Sequence, residues 1–296
     1  KHNLKEYLQN PNKDTGKASV KPEELRDYIL NYNTTLENNG GIDSETGERR
    51  YPVRELLLSG GDPLVLNNAL LYRYMFAAGQ AKVNLLRIGS KELAFRPERL
   101  DEGLAETFAI IHEQFPHMHI NIVSHLSHPD EFLMRDAEGK YIPNENGPGY
   151  QWMPKSKEAV ERMLSLPYVT IETQTPIISK VNDDVEALRI LHEESRRMGI
   201  KPKYLFQGRD IQGHKAFSVP VEKAWRIHTD AMKGLSDTAR SRFSLSTEWG
   251  KMEVVSVIEP IKIAEDQAMP GVMQLMLNEL FGQGLTIFRV HRSPHE

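Results

Sequence analysis

The chain has 296 residues, of which 39% are hydrophobic and 26% charged, and its formal net charge at pH 7 is −4. This length suffices for one large α/β domain or two modest ones, and the balance of charge argues against nucleic acid as a partner. No run approaches the ~20 apolar residues of a membrane span and the first residues form no apolar signal core, so we expect a cytoplasmic protein without a membrane partner. The sequence has no cysteine, which excludes disulfides, thiol nucleophiles and thiolate-held metal within it.

Runs rich in leucine or β-branched residues alternate along the chain with segments of helical period, a pattern typical of parallel strands joined by crossover helices. We predict five strands, over residues 53–59, 83–90, 118–125, 168–175 and 201–208. Helices are predicted over 22–30, 67–79, 97–115, 156–166 and 185–199, with Gly79 and Gly199 as closing residues. These elements predict a parallel β/α sheet or partial barrel.

Two polar insertions rich in Gly, Pro or Asn interrupt this alternation, at residues 34–52 and 134–154. Loops of this length are either functional lids or decorations, and Tyr150 and Trp152 favour a contact in the second. After residue 236 the pattern changes: segments 241–247 and 251–260, a helix over 271–282 and a strand over 285–290 predict a C-terminal α+β extension. We therefore divide the chain into a barrel, residues 1–235, and an extension, residues 236–296.

Each predicted strand ends in polar or glycine-rich residues. Ligands of β/α folds bind at the carboxyl ends of the strands, so these tips predict the functional site. The tips are Ser59-Gly60-Gly61-Asp62, Gly89-Ser90-Lys91, Ser124-His125, Gln174-Thr175 and Gln207-Gly208-Arg209-Asp210.

Six stretches occur in a fixed order at or after these tips: "LLLSGGDPLVL", "LLRIGSKELAFRPERL", "NIVSHLSHPDE", "TQTPIISKVNDD", "YLFQGRDIQGHKAFSVP" and "STEWGKMEVV". Together they resemble the lysine 2,3-aminomutase family of radical S-adenosylmethionine (SAM) enzymes, over residues 53–260. The resemblance implies a radical SAM partial (β/α)6 TIM-like barrel, of which this chain lacks the first strand.

The resemblance also implies the chemistry. Family members bind SAM on a [4Fe–4S] cluster held by a CxxxCxxC loop. Reduction of the cluster cleaves SAM to a 5′-deoxyadenosyl radical, which takes hydrogen from an amino acid held on pyridoxal phosphate (PLP). The amino group then moves from the α-carbon to the β-carbon. Expected partners are an amino acid substrate, an electron donor such as flavodoxin or ferredoxin, and further copies of the chain in a homo-oligomer.

The first tip matches the family's segment for the methionine end of SAM: Ser59, Gly60, Gly61 and Asp62. An ammonium group needs carbonyl and carboxylate acceptors, and glycine lets the backbone come close. A plain strand-to-helix turn is the alternative interpretation.

His125 and Gln174 lie at the next tips, where the family contacts SAM. A competing hypothesis is a zinc site. Its ligands would be His117, His119, His125 and His128.

Lys251 aligns with the family's lysine that bonds PLP. Such a lysine must be neutral to attack an aldehyde, and partial burial would lower its pKa. The family has a glycine-rich run before this lysine, whereas Glu248, Trp249 and Gly250 stand here. A surface lysine at the start of a strand is the alternative.

Lysine-using members hold the substrate's distal ammonium with two aspartates. The alignment puts Arg209 at the first position, and at the second Ser244, or Ser246 if two glycines are deleted. An arginine repels an ammonium group but pairs with a carboxylate, so an acidic amino acid such as glutamate is expected rather than lysine. Alternatively, Arg209 turns outward and Asp210 binds the substrate.

The resemblance places the three cluster cysteines upstream of Lys1, so we expect the sequence to be part of a longer protein. The leading hypothesis is a PLP-dependent aminomutase in its full-length form. The alternatives are a radical SAM enzyme that acts without PLP on another substrate, and a cysteine-free relative that serves as a binding or scaffold module.

Overall fold

A computed structural model describes residues 20–208, 215–247, 250–258 and 285–291. Its strands form one sheet in which neighbours in space are also neighbours in sequence. They are β1 (Glu55–Leu58), β2 (Leu85–Ser90), β3 (His119–Ser124), β4 (Val169–Pro176), β5 (Lys201–Phe206), β6 (Arg242–Thr247), β7 (Gly250–Ile258) and β8 (Leu285–His291). The strands β1 to β6 run parallel, and β7 and β8 follow antiparallel.

Helices alternate with the parallel strands. They are α1 (Pro22–Asn38), α2 (Asn68–Gln80), α3 (Glu92–Phe95), α4 (Glu102–Gln114), α5 (Pro154–Leu164), α6 (Val185–Arg197) and α7 (Val221–Met232). Parallel crossovers are right-handed, so strands in sequential order keep their helices on one face of the sheet. The result is an α/β partial barrel, with helices outside and the other face of the sheet inside.

Side chains of each strand alternate between these two faces. Leu86 and Ile88 of β2 are fully buried and belong to the apolar core that continues into the helices. Arg87 lies between them and therefore points to the inner face, next in register to Asn121 of β3. At these positions the inner face is polar, while the outer face holds the core.

The five strands predicted from the sequence are confirmed, with ends that differ by at most two residues. Gly199 follows α6 with φ +85°, as predicted for a closing glycine. The prediction that Gly79 closes a helix is wrong, because α2 continues to Gln80. A Cβ on Gly79 would lie 2.4 Å from the Phe115 ring, so this glycine serves close packing rather than termination.

Two further helix boundaries differ from the prediction. The helix expected over 97–115 begins only at Glu102, where the Asp101 carboxylate accepts a hydrogen bond from the Leu104 amide at 2.8 Å. The helix expected over 22–30 extends to Asn38, into the predicted 34–52 insertion. It ends there because Gly40 and Gly41 adopt φ +64° and +81°, a conformation outside the α-helix.

The 134–154 insertion is folded against the barrel, and its final residue, Pro154, begins α5. Trp152 is 6% exposed and packs on Phe132, with ring centroids 4.3 Å apart. Its indole nitrogen and the backbone amide of Tyr150 both donate to the carboxylate of Glu194 on α6, at 3.2 and 3.1 Å. The contact expected for Tyr150 and Trp152 is confirmed.

The C-terminal segments continue the barrel sheet. β6 pairs with β5 in parallel, and β7 and β8 extend the sheet beyond it. The helix predicted over 271–282 lies outside the described residues, and the boundary at 235/236 stays a prediction. In the part of the chain that the structure describes, no helix is both long and apolar enough to cross a membrane.

Candidate active site in the partial barrel

The loop after β1 is a backbone turn that requires a glycine at one position. Gly60 has φ +120°, a region that side-chain-bearing residues rarely adopt. A Cβ on Gly60 or Gly61 would meet no atom within 4 Å, so open space lies over both residues. Together with exposed Ser59, this turn offers accessible backbone groups at the carboxyl end of the sheet.

Asp62 fixes the shape of this turn. One carboxylate oxygen accepts from the Leu64 amide at 3.0 Å, and the other accepts from the Lys91 amide at 2.7 Å and the Ser90 hydroxyl at 3.0 Å. A carboxylate has about four acceptor positions, so three of them are used within the protein. Asp62 therefore ties the tip of β1 to the tip of β2 and keeps little capacity for an external ammonium group.

The tips of β2 and β3 are joined by Lys91, a residue of the predicted Gly89-Ser90-Lys91 tip to which the sequence assigned no role of its own. Its ammonium donates to the His125 carbonyl at 3.3 Å, the Ser127 hydroxyl at 3.1 Å and the Glu131 carboxylate at 3.0 Å.

His125 and Gln174 lie at the carboxyl ends of β3 and β4. The His125 side chain is exposed, and its backbone amide donates to the Ser90 carbonyl at 2.9 Å. Partial desolvation and the nearby Lys91 ammonium lower the pKa of His125, which favours the neutral ring. Gln174 is half-buried and stands in register with Tyr204 of β5.

Lys251 lies at the start of β7, at the same end of the sheet, and pairs in register with Ser246. Its amine stands over two aromatic rings of β5, 3.1 Å from the centroid of Tyr204 and 4.6 Å from that of Phe206. Desolvation, and then the charges of Arg87, Lys203 and Arg242, lower the pKa of Lys251 to about 8, while Glu253 acts in the opposite direction.

The inner face carries further charges along the strands. Arg87 donates to Glu55 at 2.8 Å, and its Nε is buried without a hydrogen-bond partner. Lys203 donates to buried Glu172 at 2.5 Å. A charged residue in the middle of the apolar run "VNLLRIGS" was the sequence signal for Arg87, and it was missed.

The two serine positions differ in exposure. Ser244 is fully buried and its hydroxyl has no hydrogen-bond partner, whereas Ser246 is exposed. Arg209 and Asp210, the other predicted substrate contacts, lie outside the described residues, as do Glu248 and Trp249. The structure thus brings Lys251 together with Tyr204, Phe206 and Ser246.

The zinc hypothesis finds no support in the described residues. Among them, no three His, Cys, Asp or Glu side chains are grouped so that they could hold a metal ion. His117 and His119 lie at the amino end of β3, and His125 and His128 lie beyond its carboxyl end.

Comparison with known proteins agrees with the resemblance. No family model matches the chain. A protein of Aquifex aeolicus named "Putative L-lysine 2,3-aminomutase" is 32% identical over 70% of this chain and 51% of its own length. The glutamate 2,3-aminomutase of Clostridioides difficile is 24% identical over 59% of this chain and 35% of its own length.

Among solved structures, a domain of the pyruvate-formate lyase-activating enzyme of Bacteroides vulgatus matches with a TM-score of 0.40 and 14% identity. That match covers 64% of this chain and 97% of the domain.

The chain is a distant homologue of the lysine and glutamate 2,3-aminomutases. It spans about half the length of the curated relatives it matches.

Proposed function

We propose that the full-length protein is a radical SAM, PLP-dependent amino acid 2,3-aminomutase whose substrate is acidic rather than lysine. The observation that carries this proposal is Lys251. It lies at the carboxyl end of the sheet, where β/α enzymes act, and its amine faces two aromatic rings with a pKa lowered to about 8.

The lowered pKa supports a nucleophilic role for Lys251. With a pKa of about 8, roughly a quarter of the amine is neutral at pH 7.5, compared with about one part in a thousand for an ordinary lysine. The neutral amine is the form that attacks an aldehyde. A surface lysine, the alternative interpretation, would keep its charge and its full hydration.

The residues present fit two of the three expected groups. When bound, PLP supplies an electron-withdrawing ring at the migrating nitrogen, and SAM supplies the hydrogen-abstracting radical. For PLP, Lys251 is the attachment point, and the nearby cation Arg242 favours an anionic group. For SAM, the open Gly60-Gly61 turn offers backbone acceptors, while Asp62 holds the turn in shape.

The third group, the [4Fe–4S] cluster, does not fit this chain. The sequence contains no cysteine, and the described residues contain no group of three metal ligands. No thiolate in this chain is available to hold a cluster. The proposal requires its ligands, and an electron donor such as flavodoxin or ferredoxin, to come from outside this sequence.

The proposed acidic substrate rests on charge. Of the three cations that lower the pKa of Lys251, Arg87 is paired with Glu55 and Lys203 with Glu172, which leaves Arg242 as the cation that would attract a substrate carboxylate. Serines occupy both candidate positions of the family's second aspartate, so the described residues place no carboxylate there for a lysine ammonium. Arg209 adds to this argument from the sequence alone.

The absence of cysteine also favours a second candidate, a non-catalytic binding or scaffold relative. The sequence upstream of Lys1 distinguishes the two. A CxxxCxxC motif there supports radical chemistry, and its absence contradicts both enzyme hypotheses.

Borohydride reduction of the PLP-loaded, full-length protein tests the role of Lys251. We expect a pyridoxyl group on Lys251 in peptide mass spectra and none on Lys203, a lysine on the same inner face. Labelling of Lys203 alone, or no labelling, would favour the enzyme that acts without PLP.

An anaerobic assay of the reduced full-length enzyme with glutamate and with lysine tests the substrate. We expect β-amino product from glutamate. Faster turnover of lysine would refute the charge argument.

A further inference from the structure

A cavity of about 500 Å³ lies between the C-terminal half of α1, the loop after it, the start of β1 and the end of α2. It is at the amino end of the sheet, because the carbonyl of Arg54, one of its lining residues, accepts from Asn84 and Leu85 at the entrance to β2. Lys251 and the strand tips lie at the opposite end. The cavity is therefore separate from the candidate active site.

The lining of this cavity is cationic. Four cations, Arg49, Arg50, Arg54 and Lys82, face one carboxylate, Glu37. Because Arg50 is paired with carboxylates outside the lining, the other three cations and Glu37 leave an excess of two positive charges, in a chain whose net charge is −4. Such a local excess in an acidic protein attracts anions.

Three of these cations are available to a ligand. Within the described residues, Arg49, Arg54 and Lys82 have no ion-pair or hydrogen-bond partner for their side chains. Arg50 differs, because it pairs with Asp43 at 3.6 Å and with Glu48 at 3.5 Å. Two unpaired guanidinium groups and one ammonium thus line a single concave surface.

The walls of the cavity are held by hydrogen bonds. The Asn33 side chain accepts from the Val53 amide at 2.7 Å and donates to the Val53 carbonyl at 3.3 Å, which fixes α1 to the chain entering β1. The Arg50 amide donates to the Gly41 carbonyl at 2.9 Å and closes the loop after α1. The cavity is therefore a built feature of the fold.

The cavity also has apolar surface. Leu36 and Ala81 are buried in its lining, and Leu30 and Pro52 are half-buried. Tyr51 also lines the cavity and is 57% exposed, so its ring is accessible to a ligand. A ligand with a planar or apolar body would cover these side chains.

We propose that this cavity binds a small organic phosphate, with its phosphate on Arg49, Arg54 and Lys82 and its apolar body against Tyr51. Guanidinium groups bind phosphate oxygens with paired, charge-assisted hydrogen bonds. The volume lies within the range of small-molecule sites, roughly 300 to 1,000 Å³. The site is independent of the proposed aminomutase function.

Isothermal titration calorimetry of the full-length protein with phenyl phosphate tests the proposal. We expect saturable binding that the double variant Arg49→Gln/Arg54→Gln weakens at least tenfold. Arg196→Gln, an exposed arginine at another cavity, is the matched control and should leave the affinity unchanged. Inorganic phosphate should bind more weakly than phenyl phosphate, and phenol should not bind.

The candidate active site also favours anions, so Lys251→Met is measured in parallel. Retained affinity in Lys251→Met, with loss in the double variant, supports the proposed cavity. Loss in Lys251→Met alone, equal loss in Arg196→Gln, or no saturable binding would overturn it. None of these readouts depends on catalysis, so the proposed function can fail independently.

Discussion

At the scale of single residues, Lys251 takes its reactivity from its surroundings. Its amine lies over Tyr204 and Phe206, and burial is the largest cause of its lowered pKa, ahead of the charge on Arg87. Neighbouring cations destabilise a further positive charge, and the effect grows as water is excluded. Removing one cation should therefore restore part of the ordinary basicity, while the burial effect remains.

We predict that Arg87→Gln raises the pKa of Lys251 by roughly half a unit. The pKa should stay below that of a hydrated lysine, because the aromatic rings still exclude water. NMR titration of ¹³C-methylated lysines measures it, with Arg73→Gln, a surface variant paired with Glu23, as the control. An unchanged pKa in Arg87→Gln would show that Arg87 does not act on the amine.

At the scale of elements, α2 packs on the end of α4 at a glycine. A Cβ on Gly79 would overlap the Phe115 ring, which also makes an edge contact with Phe76 at 5.3 Å. Alanine normally stabilises a helix interior by about 1 kcal/mol over glycine. Here the overlap should outweigh that gain.

We predict that Gly79→Ala lowers the free energy of unfolding by about 1 to 3 kcal/mol, as overpacking usually does. The same substitution in a Phe115→Leu background should cost less, because the smaller side chain leaves room. Urea unfolding of the wild type, the two single variants and the double variant measures the coupling between residues 79 and 115. Equal costs in both backgrounds would contradict the proposed contact.

The 134–154 insertion depends on α6 through one buried carboxylate. Glu194 is 3% exposed, pairs with Arg197, and accepts from the Tyr150 amide and the Trp152 indole. Its loss would leave the half-buried Arg197 without its carboxylate partner, and the Tyr150 amide and the Trp152 indole without an acceptor.

We predict that Glu194→Ala destabilises the protein by roughly 2 to 4 kcal/mol and exposes the insertion to limited proteolysis. Glu193→Ala, the exposed neighbour on the same helix, should change neither property. Cleavage confined to other regions of Glu194→Ala would argue against this attachment.

At the scale of the whole molecule, two buried histidines connect α6, α7 and the start of β6. His192 and His228 lie 2.8 and 3.2 Å from the hydroxyl of Ser241, and burial lowers the pKa of each to about 4. The folded pKa lies below the unfolded value of 6.5, so unfolding takes up protons. Stability is therefore fully present above pH 6.5 and is lost as the pH falls towards 4.

We predict that acid unfolding is steep in this window, with each histidine contributing at most about 1.4 kcal/mol per pH unit. His228→Gln keeps a polar side chain at the site, but glutamine does not titrate. The free energy of unfolding of this variant should therefore change less with pH than that of the wild type, whatever its value at pH 7. His117→Gln, an exposed control, should retain the wild-type slope. Thermal unfolding between pH 4 and pH 7 measures both slopes.

The sequence by itself determined the order of strands and helices, because hydrophobic periodicity and capping residues are local signals. It also located the tips of the strands, and the resemblance to the aminomutase family pointed to Lys251 and the Gly60 turn. It failed at Gly79, which packs against the ring of Phe115, a residue 36 positions away. It also ended α1 too early, although Gly40 and Gly41, which follow the helix, are a local signal.

Only the tertiary structure decided which groups surround these residues. Three of these arrangements join segments that are far apart in sequence. They are the hydrogen bonds of Asp62 with Ser90 and Lys91, the aromatic rings beneath Lys251, and the cations that line the cavity at the amino end. Contacts of this kind arise when one strand packs beside another. A local pattern of residues in the sequence therefore cannot predict them.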